Sequence, residues 1–465
     1  MKKFEIPTIF VIFGITGDLF RSKILDSLHN LYSKDLLPKK SIIYGFGRRE
    51  WQDNDLRTYL ESLMKKQRIR REKDFLNKFF YAKGTFENLE SYKELSNKIG
   101  RTDNEWKFCS NKLFYLAVPP NEYKTIVVNL DKSGLTEPCS EKEGWTRVIL
   151  EKPFGTDLQS AKELDTLLVK LFKEEQIYRV DHYLAKETVR NIIAFRFSNT
   201  LLEPALNNKY LKSIKVKILE KDTIENRGNF YDGVGALRDI GQNHALQLLS
   251  LFTMENPKEF SCYPIRRNRA KQMAYLKLLG NIEESTNRAQ YIGYLREKGV
   301  QNSSKTETYF KIKGTFTNGK FKDVPVYIEG GKALEKDRTY IEMKFKRAEP
   351  CICPVDKGYT NSLRYEIKPR EEIEMDFLIK KSGYKFVVKK ETFEFGYEKK
   401  INRKDYIPEY EQLLMDIIKG DQTLFVSTEE VMNQWKFAEP ILKAWEQGKL
   451  GLIKYKIGTT PKVKF

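Results

Sequence analysis

Three short stretches of the chain carry side chains that could do acid–base and anion-binding chemistry. In Arg179-Val180-Asp181-His182-Tyr183-Leu184-Ala185-Lys186-Glu187, an acid, an imidazole, a phenol and an amine fall within six residues. With a helix starting at His182, His182 and Lys186 stand four apart on one face, where two donors could grip a phosphate. The plain alternative is a strand end capped by Asp181 beside a surface histidine. Arg238-Asp239-Ile240-Gly241-Gln242-Asn243-His244 leads into an apolar helix. Hydride transfer from an alcohol needs a base for the hydroxyl proton, and imidazole titrates in the right range. The chain has only three histidines, which makes His244 a candidate, although a satisfied core histidine would read the same way. Glu151-Lys152-Pro153-Phe154-Gly155 ends an apolar run. A lysine before proline is held extended, which gives Lys152 a fixed direction, and an ordinary turn is the competing reading.

A fourth stretch, Gly14-Ile15-Thr16-Gly17-Asp18-Leu19-Phe20, sits between a strand-like run and a helix pattern containing Lys23. Such a turn lets backbone N–H groups and a helix N-terminus approach a pyrophosphate. The match to G-x-G-x-x-G is partial and carries little alone. The next strand-like run ends Tyr44-Gly45-Phe46-Gly47-Arg48-Arg49. NAD-preferring sites usually place an acid there for the ribose 2′-hydroxyl. Arg48 suits a 2′-phosphate instead, which points to NADP.

The elements that must position these groups alternate in the first part of the chain. Ile6–Phe13, Ser41–Phe46, Leu113–Val118, Thr146–Leu150 and Ile177–Asp181 read as strands, with helix patterns at Leu19–Tyr32, Leu158–Phe172 and Lys186–Phe197. That alternation implies a parallel, doubly wound sheet. Later, Leu211–Leu219, Tyr309–Phe316, Val324–Tyr327, Tyr340–Phe345, Glu371–Ile379 and Tyr384–Lys390 read as strands, several joined by short turns such as Thr317-Asn318-Gly319 and Lys381-Ser382-Gly383. Those turns suggest a largely antiparallel sheet. Helix patterns fall at Val234–Met254, Lys271–Leu279, Tyr406–Lys419 and Thr428–Glu446. The expected division is a coenzyme domain over residues 1–180 and a second domain over 181–465.

Composition excludes some classes. With 465 residues, 40% hydrophobic and 32% charged, the chain can bury large cores and is not a disordered one. No apolar run approaches the roughly 18 residues that span a membrane, and the N-terminus lacks a small-residue cleavage site. The net charge is +19, spread along the chain as lysine. Its densest cluster, Lys65 to Arg71, has no interleaved aromatics, so a solvated helix face is expected and a nucleic-acid partner is not. Five cysteines without C-x-x-C spacing read as free thiols in a reducing cytoplasm, and no metal site is expected.

Taken in order, the motifs resemble those of the glucose-6-phosphate dehydrogenase family. G-x-x-G-D-L is Gly14–Leu19, F-Y-L-A-[VL]-P-P is Phe114–Pro120, and E-K-P-F-G is Glu151–Gly155. R-[IV]-D-H-Y-L-x-K-E is Arg179–Glu187, R-D-x-x-Q-N-H is Arg238–His244, and G-K-x-L is Gly331–Leu334. The resemblance runs from about Phe10 to Glu446. It implies a Rossmann-like coenzyme domain followed by an α+β domain with a large, mainly antiparallel sheet. It also implies NADP-dependent oxidation of glucose 6-phosphate at C1 to the 6-phosphogluconolactone, the first step of the oxidative pentose phosphate pathway, by a homodimer or homotetramer. By the same resemblance His244 is the general base and Asp181 orients it. His182, Tyr183 and Lys186 hold the phosphate, while Lys152, Glu220, Asp239 and Lys332 hold the sugar hydroxyls or the reacting end. Gly14, Thr16, Gly17, Asp18, Leu19, Lys23, Arg48 and Lys152 serve the coenzyme. Two departures stand out: Ala185 replaces the family's usual glycine, and Asp337 occupies a position that is usually basic. A sugar oxidoreductase of the glucose–fructose oxidoreductase type is the neighbouring possibility, but such proteins lack the Asp181–Glu187 block.

Overall fold

A computed structural model describes residues 6–139, 144–350, 358–396 and 406–465. They form two compact units. The first comprises residues 1–155, 159–185 and 407–426. Its six-stranded parallel sheet contains β1 (Thr8–Phe13), β2 (Ser41–Gly47), β3 (Phe79–Lys83), β4 (Asn111–Leu116), β5 (Thr146–Glu151) and β6 (Ile177–Val180), in the order β3-β2-β1-β4-β5-β6. Every residue of β1 and β4 is buried. This is why β1 reads as a continuous apolar run: a central parallel strand covered on both faces has no solvent side to alternate toward. The order reverses between β1 and β4, so the crevice at their carboxyl ends is the expected ligand position. Helix Glu409–Lys419, from late in the chain, joins this core through Leu413, Leu414 and Ile417. Arg147 donates to the carbonyls of Ile417 and Ile418 at the end of that helix.

The second unit comprises residues 156–158, 186–406 and 427–465. Its ten-stranded sheet contains β7 (Leu211–Leu219), β8 (Leu276–Leu278), β9 (Thr286–Tyr291), β10 (Tyr309–Phe316), β11 (Pro325–Gly331), β12 (Arg338–Phe345), β13 (Ser362–Lys368), β14 (Glu372–Lys380), β15 (Val388–Gly396) and β16 (Ile453–Tyr455). The order is β15-β14-β13-β12-β7-β11-β10-β9-β16, with β8 beside β10. Only the β7·β11 and β9·β16 pairs are parallel. The architecture is therefore a Rossmann-like domain and a mainly antiparallel α+β domain, as the sequence suggests.

Three expectations need correction. Cys109 and Cys139 are paired as a disulfide, with Cα atoms 6.4 Å apart. Spacing alone hid the pair, because thirty residues separate its members. Cys351 and Cys353 lie outside the described residues. The helix expected at Lys271–Leu279 is instead Cys262–Ala274, followed by β8. Its buried face carries Arg266, Asn268 and Arg269, so hydropathy gives no period to follow. Last, no single helix starts at His182. Residues His182–Ala185 form a tight turn, Lys186 is extended (φ −63°, ψ 139°), and the helix begins at Glu187. His182 and Lys186 therefore do not share a helix face.

Candidate active site

In the first unit the candidate residues gather at the carboxyl ends of the parallel strands. Gly14 leaves β1 with φ +83°, and a Cβ there would lie 2.4 Å from the Ala117 carbonyl oxygen beyond β4. Only glycine fits this close approach across the crevice. Gly17 N–H closes the turn on the Gly14 carbonyl at 2.8 Å, and the helical run from Phe20 to Ser33 follows. The cradle fits a pyrophosphate: backbone donors, a helix start and no side chain in the way. Thr16 lies on the loop, while Asp18, paired to Arg21, and Leu19 form the helical turn that leads into Phe20. Lys23 reaches Glu409 at 3.2 Å. Arg48 is exposed just past β2, whereas the Arg49 guanidinium stacks 4.7 Å from the Trp51 ring centre.

Asp181 is 1% exposed directly after β6. Its Oδ1 accepts the Tyr183 N–H at 3.0 Å and its carbonyl accepts the Leu184 N–H at 3.0 Å, which fixes the His182–Ala185 turn. Ala185 does not occupy a positive φ, so the extra methyl costs the backbone nothing here. The His182 ring lies 5.1 Å from Tyr183 and stacks on Tyr410 at 6.1 Å. One strand away, Glu151 precedes Lys152 at the end of β5. Tyr115 donates to the Glu151 carboxylate at 2.6 Å, and Tyr123 donates to its carbonyl at 2.8 Å. Burial pushes the Glu151 carboxyl up to about 7; the nearby Asp181 charge adds to this, while Tyr115, Lys152 and Tyr410 oppose it. Tyr410 escapes sequence reasoning because it lies more than two hundred residues from the strands it serves.

In the second unit, strand register builds a charge cluster. The parallel β7·β11 pair sets Leu219 opposite Gly331, so the next residues, Glu220 and Lys332, emerge side by side. The Lys332 ammonium contacts the Glu220 carboxylate and lies 3.4 Å from Asp239. Lys332 is 6% exposed. Burial alone would lower its pKa, but Asp239 and Glu220 outweigh burial and raise it. Asp239 sits in the first turn of the wide-turned segment Leu237–Ala245, which continues as helix Leu246–Thr253. Such widened turns are frequent at functional sites. His244 lies five residues on, is buried, and donates its backbone N–H to the Asn243 side chain at 2.6 Å. Lys186 stands at the N-cap position of the helix Glu187–Phe197 without a side-chain capping bond. Asp337 accepts the Lys221 N–H at 2.9 Å and pairs with Lys368 at 3.3 Å, and Arg338 is bound to Glu366. The acid at position 337 thus holds the loop after Glu220.

The first unit thus carries a dinucleotide cradle, and the second a buried ammonium between two carboxylates with a buried histidine on the same segment as Asp239. Comparison with known proteins names the family. Residues 11–191 match the family model "Glucose-6-phosphate dehydrogenase, NAD binding domain", and residues 193–463 match "Glucose-6-phosphate dehydrogenase, C-terminal domain". The chain is 36% identical to glucose-6-phosphate 1-dehydrogenase of Chlamydia muridarum over 95% of this chain and 91% of that one. It is 36% identical to the Borreliella burgdorferi enzyme of the same name, over 94% and 91%. A solved structure of glucose-6-phosphate dehydrogenase in complex with its substrate glucose 6-phosphate superposes with a TM-score of 0.90 at 30% identity, covering 99% of this chain and 96% of that one. The two matched models together span almost the whole sequence, and the chain belongs to the glucose-6-phosphate dehydrogenase family.

Proposed function

We propose that the protein oxidises D-glucose 6-phosphate at C1 to 6-phospho-D-glucono-1,5-lactone with NADP, the entry reaction of the oxidative pentose phosphate pathway. The observation that carries this reading is the Glu220–Lys332–Asp239 cluster, three polar groups from distant stretches converging where family resemblance puts the sugar. NADP, when bound, supplies the hydride acceptor. His244 takes the C1 hydroxyl proton as the C1 hydride leaves, so the C1–O bond becomes the lactone carbonyl. Asp181 orients the imidazole and stabilises its positive charge. His182, Tyr183 and Lys186 supply donors for the phosphate. Lys152, Glu220, Asp239 and Lys332 hold sugar hydroxyls, and Lys152 also faces the coenzyme. Gly14, Thr16, Gly17, Asp18, Leu19, Lys23 and Arg48 hold NADP.

The exposed aromatic residues of the β14–β15 hairpin, Phe377, Phe393 and Phe395, support self-association through the sheet, as a homodimer or homotetramer. Light scattering measures that state. Among the described residues no helix is long and apolar enough to cross a membrane. A cytoplasmic location, with sugar phosphate and coenzyme in the same compartment, completes the proposal. The deciding experiment follows absorbance of the reduced nicotinamide with glucose 6-phosphate, comparing NADP and NAD. Turnover with NADP is expected, and its absence with both coenzymes overturns the reading.

A further inference from the structure

Glu307 belongs to none of the motifs above, yet it is only 6% exposed. Its Oε1 accepts the N–H of Leu237, the first residue of the helix that carries Asp239 and His244, at 3.0 Å. Its own carbonyl accepts the Ala236 N–H at 3.0 Å. The residue before it, Thr306, accepts the Gly233 N–H through Oγ1 at 2.9 Å. Gly235 lies between these anchors with φ +76°, and a Cβ there would fall 2.4 Å from Glu307 Oε1. The carboxylate fills space that only glycine leaves open.

The residue after it serves the other half of the cluster. The Thr308 carbonyl accepts the Lys332 N–H at 2.9 Å. The Tyr455 hydroxyl lies 2.9 Å from Thr308 Oγ1 and donates to the Lys332 carbonyl at 2.6 Å. Three consecutive residues thus tie down both the helix start and the strand end whose side chains meet at Asp239 and Lys332.

We propose that Glu307 is a positioning residue for the sugar end of the site, clamping the first turn of the helix so that Asp239 stays 3.4 Å from Lys332. Calling that cluster the sugar end rests on the function proposed above. A long side chain ending in an acceptor oxygen is suited to the task, since a helix start presents unpaired N–H groups. Burial raises the Glu307 carboxyl from its ordinary value, while the Leu237 N–H and the Arg238 and Arg288 charges pull it back.

The test compares Glu307→Gln, which keeps the reach of the side chain, with Glu307→Asp, which keeps the charge but retracts it, and with Glu307→Ala, all in the full-length chain. A misplacement of about 1 Å can cost on the order of a hundredfold in rate. The Asp and Ala variants are therefore expected to lose about ten- to a hundredfold in kcat/KM for glucose 6-phosphate. Glu307→Gln should stay within about threefold of the parent, and NADP affinity by fluorescence titration should hardly change in any variant. Hydrogen exchange in the ligand-free chain should quicken over 237–245 in Asp and Ala, but not in Gln. Asp matching the parent while Gln fails, or NADP affinity falling in step with kcat/KM, overturns the positioning role. If Ala does not fold, the Gln–Asp contrast decides. If the parent does not turn over glucose 6-phosphate, the proposed function fails. The exchange contrast then decides the positioning role alone: protection over 237–245 in Asp equal to the parent overturns it.

Discussion

The two units hold their candidate side chains by different means. In the first, each candidate sits at the carboxyl end of its own parallel strand: Gly14 after β1, Arg48 after β2, Lys152 after β5 and Asp181 after β6. The topology aligns those ends, so a residue needs only to follow an apolar run to be in place. In the second unit, Glu220, Asp239 and Lys332 come from a strand end, a helix start and another strand end. They meet through the β7·β11 register and the hydrogen bonds of residues 306–308. The first arrangement tolerates local change at one strand end. The second is cooperative, and a fault at one anchor should move several groups together.

The strongest way to probe the second arrangement is its buried histidine. His244→Asn should lower kcat by roughly 10²–10⁴-fold with little change in NADP affinity. Steady-state kinetics with both substrates varied checks this, and an unchanged kcat removes His244 from the role of base. Lys186 tests phosphate recognition. Lys186→Ala should raise KM for glucose 6-phosphate about ten- to a hundredfold, as loss of a charge-assisted contact implies. Turnover of free glucose, which has no phosphate to hold, should be much less affected. Equal losses on the two substrates contradict phosphate recognition.

The same contrast explains what could be read from the sequence. Strand-end motifs of the first unit are contiguous, so Gly14–Leu19, Glu151–Gly155 and Arg179–Glu187 announce themselves. The central strands are apolar throughout and equally plain. What escaped is whatever carries no hydropathy signal. β9, Thr-Asn-Arg-Ala-Gln-Tyr, is buried along its whole length, yet most of its side chains are polar. β3 is five residues long, with Asn77 as the lone turn signal just before it. The β14–β15 hairpin turns at the expected place, but β15 begins at Val388 rather than Tyr384. Tyr410 and Glu307 escaped for a different reason: their meaning lies in contacts across sequence distance, which composition and spacing cannot encode.

Coenzyme choice sharpens the picture of the first unit. A 2′-phosphate offers a guanidinium two charge-assisted hydrogen bonds, and NAD offers only hydroxyls. Arg48→Ala should therefore weaken NADP by about 1.5–3 kcal/mol, roughly ten- to a hundredfold, and leave NAD nearly unchanged. Arg49 is stacked on Trp51, so it should substitute poorly. KM values for both coenzymes in Arg48→Ala and in the Arg48/Arg49 double alanine variant measure this. A double variant that keeps the parent's preference for NADP moves the cause to Thr16 or Lys23.

The smallest effect should come from Glu151, which tests whether the first unit is as forgiving as its topology suggests. Its carboxyl is raised from 4.5 to about 7, mainly by burial, with Asp181 adding to the shift. The folded protein thus holds a proton that the unfolded chain releases between pH 4.5 and about 7. Stability falls as pH rises through that window and then levels off. Glutamine keeps an acceptor for Tyr115 but takes up no proton. Glu151→Gln should therefore flatten this part of the stability profile and gain on the parent above pH 7. Each pKa unit corresponds to about 1.4 kcal/mol, and because the residue is only partly buried a gain of about 1–2 kcal/mol is expected. In thermal unfolding this amounts to a rise of about 1–4 °C at pH 8 and little at pH 5. Parallel melting profiles for parent and variant across pH 5–8 would show that the carboxyl titrates normally. They would also show that the ring of Tyr115 and Tyr410 holds an ordinary carboxylate beside Lys152.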